Sequence, residues 1–260
     1  MFPPLLRWLI PVLITLSPAA TASEPAPPEQ TPEHQPRVFR FNVSATGYPP
    51  YLIHNEDGTY SGIAFDVVSR ITERLGYELS LFLIPRKRVE SMLLAGHIDG
   101  TPRAQEWTPD PERFLFTDPM VPIREVFFAP ADSEFQFTGL DELKGITVVT
   151  PLGYHYPLLQ PLFDSNAIER YDVADNKDIF TYLLHGRGLD VTVADLAVGQ
   201  WVIRQRDWQG QFRHSTEAIS NYGYRLMLRP DWTEFAEAFN EELANMKARG
   251  ELEEILSQYR

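Results

Sequence analysis

The sequence predicts an α/β protein of two lobes, each a mostly parallel sheet flanked by helices, and three observations predict it. Strand-like and helix-like segments alternate as β-α-β-α-β over the first half of the folding region, a run that implies parallel strands with right-handed crossovers. The scheme then restarts after a long extended segment, Met120 to Ala129. About 220 residues take part, more than a single core usually organises.

The chain opens with one cation, Arg7, an apolar stretch from Leu9 to Leu16 and the small residues Ala20-Thr21-Ala22. This is the pattern of a secretory signal peptide, residues 1–22, and its apolar core is too short to span a bilayer. The mature chain is expected to start at Ser23, in the periplasm and free in solution. With no Cys in the sequence there is neither a lipid-accepting thiol nor a disulfide. Residues 23–37 combine Pro, Glu and Gln without apolar partners and read as a flexible linker. The formal net charge is -13, and an acidic chain repels nucleic acid and anionic lipid, so neither is an expected partner.

From there each element has its own signal. Val38, Phe39, Phe41 and Val43 mark a first strand over 37–44, followed by the loop Thr46 to Tyr51 and a tight turn at Asn55-Glu56-Asp57-Gly58. Val67, Val68, Ile71 and Leu75 fall on one face of a helix from Ile63 that stops at Gly76. Tyr77 to Ile84 is the next strand, Arg86 to Ala95 a shorter helix stopped at Gly96, and Ile98-Asp99 begins a strand leading to Arg103. In the second half Ile146 to Val149, Ala167 to Val173 and Val191 to Val193 read as strands. Helices are expected over Tyr156 to Phe163, over Lys177 to His185, and from Asp195 to Arg204. Asn221 to Leu228 is extended and returns the chain to the first lobe, where Trp232 to Gln258 forms two helices parted at Gly250. Phe235, Phe239, Leu243 and Met246 make a core-facing stripe on the first of them.

Several segments together resemble the family 3 periplasmic solute-binding proteins. YPPYLIHNEDGTYSGIAFDVVSRITERLGYELSLFLI is similar to that family's opening loop, glycine turn, first helix and second strand. AGHIDG, FTDPM, LDELKGITVVTPLG, LLHGRGLDVTVADLAVGQW and FNEELANMKARGELEEILSQYR resemble its later landmarks, in order. The resemblance implies the two-lobed periplasmic-binding-protein type II fold, with a solute held between lobes joined by two crossing strands. Lobe 1 is then 38–123 with 222–260 and lobe 2 is 124–221, hinged near Val121 to Glu125 and Ser220 to Tyr224. It also implies capture of an amino acid or a related acid and amine compound by a monomer. Delivery would be to a membrane permease or, alternatively, to a receptor, with no cofactor.

The candidate site residues follow from both readings. Ligands in open α/β sheets lie beyond the carboxyl ends of the strands, and Arg103 stands at such an end. In amino-acid-binding members an Arg before F-S-D-P holds the carboxylate; here WTPDPERFLFTDP puts Asp110 at that position, so Arg103 is favoured, with Arg88 and Arg113 as alternatives. Arg88 falls in the first turn of its helix, where a cation is electrostatically disfavoured unless something else uses it. Tyr48 and Tyr51 lie where the family sets aromatics against the solute, and Asp195 matches the family's partner of the ligand's amine, although an Asp there also suits a helix N-cap. The turn at Gly153, between a strand and an expected helix, offers amides to an anion, or else simply turns the chain. Tyr154 stands where the family carries a small hydroxyl, which leaves room for a larger or flatter solute. The six His show no metal-ligand spacing and no nucleophile motif occurs, so no metal and no enzyme is expected. The remaining alternative is a dehydratase of the same fold using Asp195 or Glu106 as its acid.

Overall fold

The computed structural model describes residues 37–44, 47–174, 178–186 and 188–260. The expected signal peptide, all of the linker but Arg37, Thr46 and Lys177 lie outside them. Arg37 itself opens strand β1, Arg37–Asn42. A two-residue hairpin, β2 (Ile53–His54) and β3 (Tyr60–Ser61), precedes helix α1, Ile63–Arg74. Strand β4 is Tyr77–Phe82, α2 is Val89–Leu94, and β5 is Gly100–Ala104. The short β6, Leu115–Phe116, leads to the ten-residue β7, Val121–Pro130. The second half holds β8 (Thr147–Pro151), α3 (Gln160–Asp164), β9 (Glu169–Val173), α4 (Ile179–His185), β10 (Val191–Asp195), α5 (Leu196–Gln205) and β11 (Phe212–His214). Strand β12, Ser220–Leu228, then returns to α6, Thr233–Ala248, and α7, Glu251–Ser257.

The sheet runs in the order β4-β1-β5-β12-β7-β10-β8-β9. β4, β1 and β5 are mutually parallel, as are β10, β8 and β9, while β12 and β7 join the two groups by antiparallel pairing. The predicted β-α-β-α-β run is therefore the first group, and the two long extended segments are its bridge to the second.

Packing follows the period of two. In β1, Phe39 and Phe41 enter the first core, where they meet Phe235, Phe239, Leu243 and Met246 of the α6 stripe. On the opposite face Arg40 binds Asp99 through both its Nε, at 2.9 Å, and its backbone amide, at 2.8 Å, and Arg229 lies 3.3 Å from the same carboxylate. That clamp fixes the entry to β5. In β7 Val126 and Phe128 pack on one face, Phe127 and Ala129 on the other, so the second group is buried on both sides, as its apolar runs require.

Three of the boundaries that differ from expectation bear on the site. The helix expected over Arg86 to Ala95 begins as a 3-10 turn, Arg86–Arg88, and becomes α-helical only at Val89. Ile98 and Asp99 precede their strand, because Asp99 serves the arginine clamp. The helix after Gly153 starts at Gln160, not Tyr156. Pro157 biases the residue before it away from the helical region, and Pro161 has no N–H to give and fits only a first turn. Strands β6 and β11 have no counterpart in the sequence reading.

Candidate functional site

A cavity of about 320 Å³ lies where the carboxyl ends of both parallel groups meet. β1 contributes Asn42, the end of β4 contributes Ile84 and Arg86, and β5 contributes Thr101 and Arg103. From the other side come Pro151 and Tyr154 after β8 and Ala194 and Asp195 of β10, with Glu125 of β7 and Tyr224 of β12 between. This is where ligands of open α/β sheets bind.

Arg103 is 6 % exposed. Its Nη2 donates to Glu90 Oε1 and to the Trp107 carbonyl, both at 2.9 Å, while its Nε is buried with no hydrogen-bond partner among the described residues. Burial first, and then nearby Arg86, bring its pKa down to about 10 against the opposing pull of Glu90. A buried guanidinium N–H without an acceptor is a costly arrangement that an anion would relieve. Arg86 stands beside it on the rim, its guanidinium 4.6 Å from the centre of the Tyr154 ring, in the range of a cation–π contact.

The facing wall carries two carboxylates. Asp195 is 3 % exposed and caps α5, its Oδ1 accepting from the amides of Ala197 and Val198 at 3.1 Å. The same oxygen accepts from Tyr51 Oη at 2.9 Å, and Oδ2 accepts from the amide of Arg124 at 2.9 Å. Glu125 is 5 % exposed and faces Asp195 across the β7–β10 pairing. It accepts from Trp107 Nε1 at 3.1 Å and from the Ser220 hydroxyl. Burial raises the pKa of both acids, and each also keeps the hydrogen bonds that favour its charged form.

Of the residues expected at the site, Tyr48, Arg103, Tyr154 and Asp195 line the cavity. Tyr51 stands behind it, 3 % exposed, stacked on Tyr48 at 5.6 Å with its hydroxyl given to Asp195. Gly153 is exposed and off the wall; with no helix opening there, and with the Tyr154 amide given to the Pro151 carbonyl at 3.2 Å, the anion-accepting turn is not formed. Arg88 is exposed and outside the lining, as Arg86 takes the rim. Arg113 points to the surface beside Asp110, 4.0 Å away, and Glu106 is exposed. The sequence reading missed Arg86, Trp107, Glu125, Tyr156 and Tyr224. Arg86 follows the end of a parallel strand and Glu125 is an acid beside a run of buried apolar residues, so both carried a usable signal. Among the described residues no helix is long and apolar enough to cross a membrane, and no group of three acids or His is placed to hold a metal.

Two parallel groups joined by two long strands, with a charged and aromatic cavity between their carboxyl ends, define a cleft-type ligand-binding protein. The chain belongs to the bacterial extracellular solute-binding proteins, family 3, whose model matches residues 42–260. No curated protein matches it. Among solved structures it is similar to a putative binding component of an ABC transporter from Wolinella succinogenes complexed with lysine. The TM-score is 0.74 at 17 % identity, over 85 % of this chain and 94 % of that one. It is also similar to a histidine kinase sensor domain resembling periplasmic binding proteins, with TM-score 0.73 and 22 % identity over 86 % and 96 %. A third is an ancestral amino acid-binding protein, a precursor of cyclohexadienyl dehydratase, with TM-score 0.71 and 17 % identity over 85 % and 95 %.

Proposed function

We propose that the protein captures a small solute bearing both an acid and an amine, an amino acid or a close relative, and delivers it to a membrane permease from the periplasm. One observation carries this: a single buried cavity sets the unpartnered Nε of Arg103 on one wall against the carboxylates of Asp195 and Glu125 on the other. A molecule with a carboxylate at one end and an ammonium at the other meets both demands. Closure around it removes the contacts from water and strengthens them. The lobes are 38–123 with 222–260 and 124–221, crossing in β7 and β12, and Tyr51 with Asp195 ties them across the cleft.

The protein binds and releases its solute unchanged. Native mass spectrometry of gently purified protein tests this, with an intact amino acid or amino-acid-like mass as the expected co-purified species. A neutral sugar, or a product of turnover when the freed solute is added back, would sink the proposal. The likeness to a histidine kinase sensor domain supports a second reading, in which closure is read by a membrane receptor. Cross-linking of the loaded protein in intact cells separates the two by whether the captured membrane partner is a permease or a kinase.

A further inference from the structure

We propose that the solute carries a second acid group beyond the one that meets Arg103, as an amino acid with a side-chain carboxylate or phosphate does, and that Arg86 is the residue that takes it. The proposal rests on the solute-capture reading above and narrows its class of solute.

The charges of the cavity fall into two ends. Glu125 and Asp195 stand as cross-strand neighbours on one wall, while Arg86 and Arg103 enter from the other group of strands, after β4 and in β5. Lys87, next to Arg86, reaches the mouth, its Cε 3.6 Å from where a Cβ on Gly153 would stand. Among the described residues the acid paired with these three cations is Glu90, 2.9 Å from Arg103 Nη2. Three cations against one acid leave an excess of two positive charges, in a chain whose formal net charge is -13. A single carboxylate on the solute answers one of them. A second acid group answers the other.

The donors divide in the same way. Arg103 spends its Nη2 on Glu90 and on the Trp107 carbonyl, both at 2.9 Å, and keeps an Nε without an acceptor, so it is equipped to serve one acid group. Arg86 is placed to serve another. Its guanidinium lies over the Tyr154 ring, 4.6 Å from the centre, and a stacked guanidinium keeps its in-plane N–H groups for an acceptor. Tyr154 comes from the opposite group of strands, so its ring steadies Arg86 across the cleft without using those groups. Two guanidinium groups in one cavity also repel each other, and after burial it is Arg86 that lowers the Arg103 pKa most. A second anionic group offsets that repulsion, and the planar fork of an arginine matches the oxygens of either a carboxylate or a phosphate.

The test is calorimetric titration of the full mature chain with two pairs in which only one member carries the second acid group, L-glutamate with L-glutamine and L-phosphoserine with L-serine. Which acidic member binds more tightly separates a second carboxylate from a phosphate. In the pair that binds, the acidic member should bind tighter by about tenfold or more, the lower end for a hydrogen bond to a charged group. Arg86→Gln should cost it most of that factor and cost its partner less than about threefold. Arg86→Lys, which keeps the charge but neither the fork nor the stack, should restore part of the preference, as a purely structural role would not. The inference is overturned if the partner binds as tightly as the acidic member, or if Arg86→Gln weakens both alike. A parent that binds glutamine or serine and neither acidic member overturns it too, and leaves the capture reading standing. For a parent that binds none of the four, the co-purified solute decides: a second acid group on it supports the inference, an amine with one acid group overturns the inference alone, and a compound lacking acid or amine overturns the capture reading as well.

Discussion

Arg103 and Asp195 face each other across one cavity and each is more than nine-tenths buried, yet they stand in opposite conditions. Asp195 lines the cavity and accepts four hydrogen bonds, three of them from backbone amides. Arg103 has its Nη2 engaged by Glu90 and Trp107 and its Nε left with no acceptor. Under the capture proposed above, burial of a charged group is not by itself the mark of a binding residue; unmet hydrogen-bonding capacity is the added signal. Glu125 is held by two donors.

The largest effect expected from that contrast is at Arg103. Arg103→Ala should weaken solute binding by about 2 to 4 kcal/mol, as expected when one partner of a buried charge pair is truncated, while the empty protein keeps its melting temperature to within a few degrees. Calorimetric titration with the co-purified solute and a thermal melt check the two halves. Arg88→Ala, on the exposed side of the 3-10 turn that carries Arg86, should change neither. If Arg88→Ala instead weakens binding as Arg103→Ala does, the anion site is placed wrongly.

Asp195 should show a loss of stability, at smaller size. Asp195→Ala removes the α5 cap and should cost about 0.5 to 2 kcal/mol of stability, read from urea or thermal unfolding of the empty protein. Because the Tyr51 and Arg124 contacts go with it, the loss is expected near the upper end of that range. A variant as stable as the parent but unable to bind would leave Asp195 only the ligand-contacting role that the family resemblance implies.

The sequence made the scaffold readable and the site only partly so, and the reason is the reach of each signal. Local signals were sufficient for α1, which stops before Gly76, and for the Phe235 to Met246 stripe, because period and turn chemistry act over a few residues. Gly62 was not singled out, because what excludes any other residue there is the Tyr51 carbonyl, 2.6 Å from where a Cβ would stand, at φ 121°. The state of Asp195 is set by a hydroxyl 144 residues away and an amide 71 residues away, which no local pattern shows. Arg86 was passed over for Arg88 because an α-helical register was assumed where the chain makes a 3-10 turn. Gly153 was overvalued because its expected helix begins only at Gln160, held off by Pro157 and Pro161.

The smallest effect concerns pH, and it sharpens the contrast between Arg103 and the acids that face it. Burial raises the pKa of Glu125 in the folded protein above its ordinary value. Between the unfolded and folded values the folded state binds more protons, so this group's contribution to stability is fully present below the unfolded pKa and is lost as pH rises through the folded one. Glu125→Gln removes that slope and should gain in melting temperature relative to the parent as pH rises from 4 to 7, conditions chosen to bracket a raised carboxyl pKa. Solute binding should move the other way. An ammonium beside the two acids favours their ionised forms, so the affinity of the parent should rise with pH across the same window, with proton release detectable by titration in buffers of different ionisation heat. The Asp195 pKa is also raised, and the two acids are coupled, so the discriminating quantity is what each substitution removes. Part of the pH dependence of binding is expected to go with each substitution, Glu125→Gln and Asp195→Asn; a parent whose affinity does not rise with pH would show that no ammonium sits beside the acids.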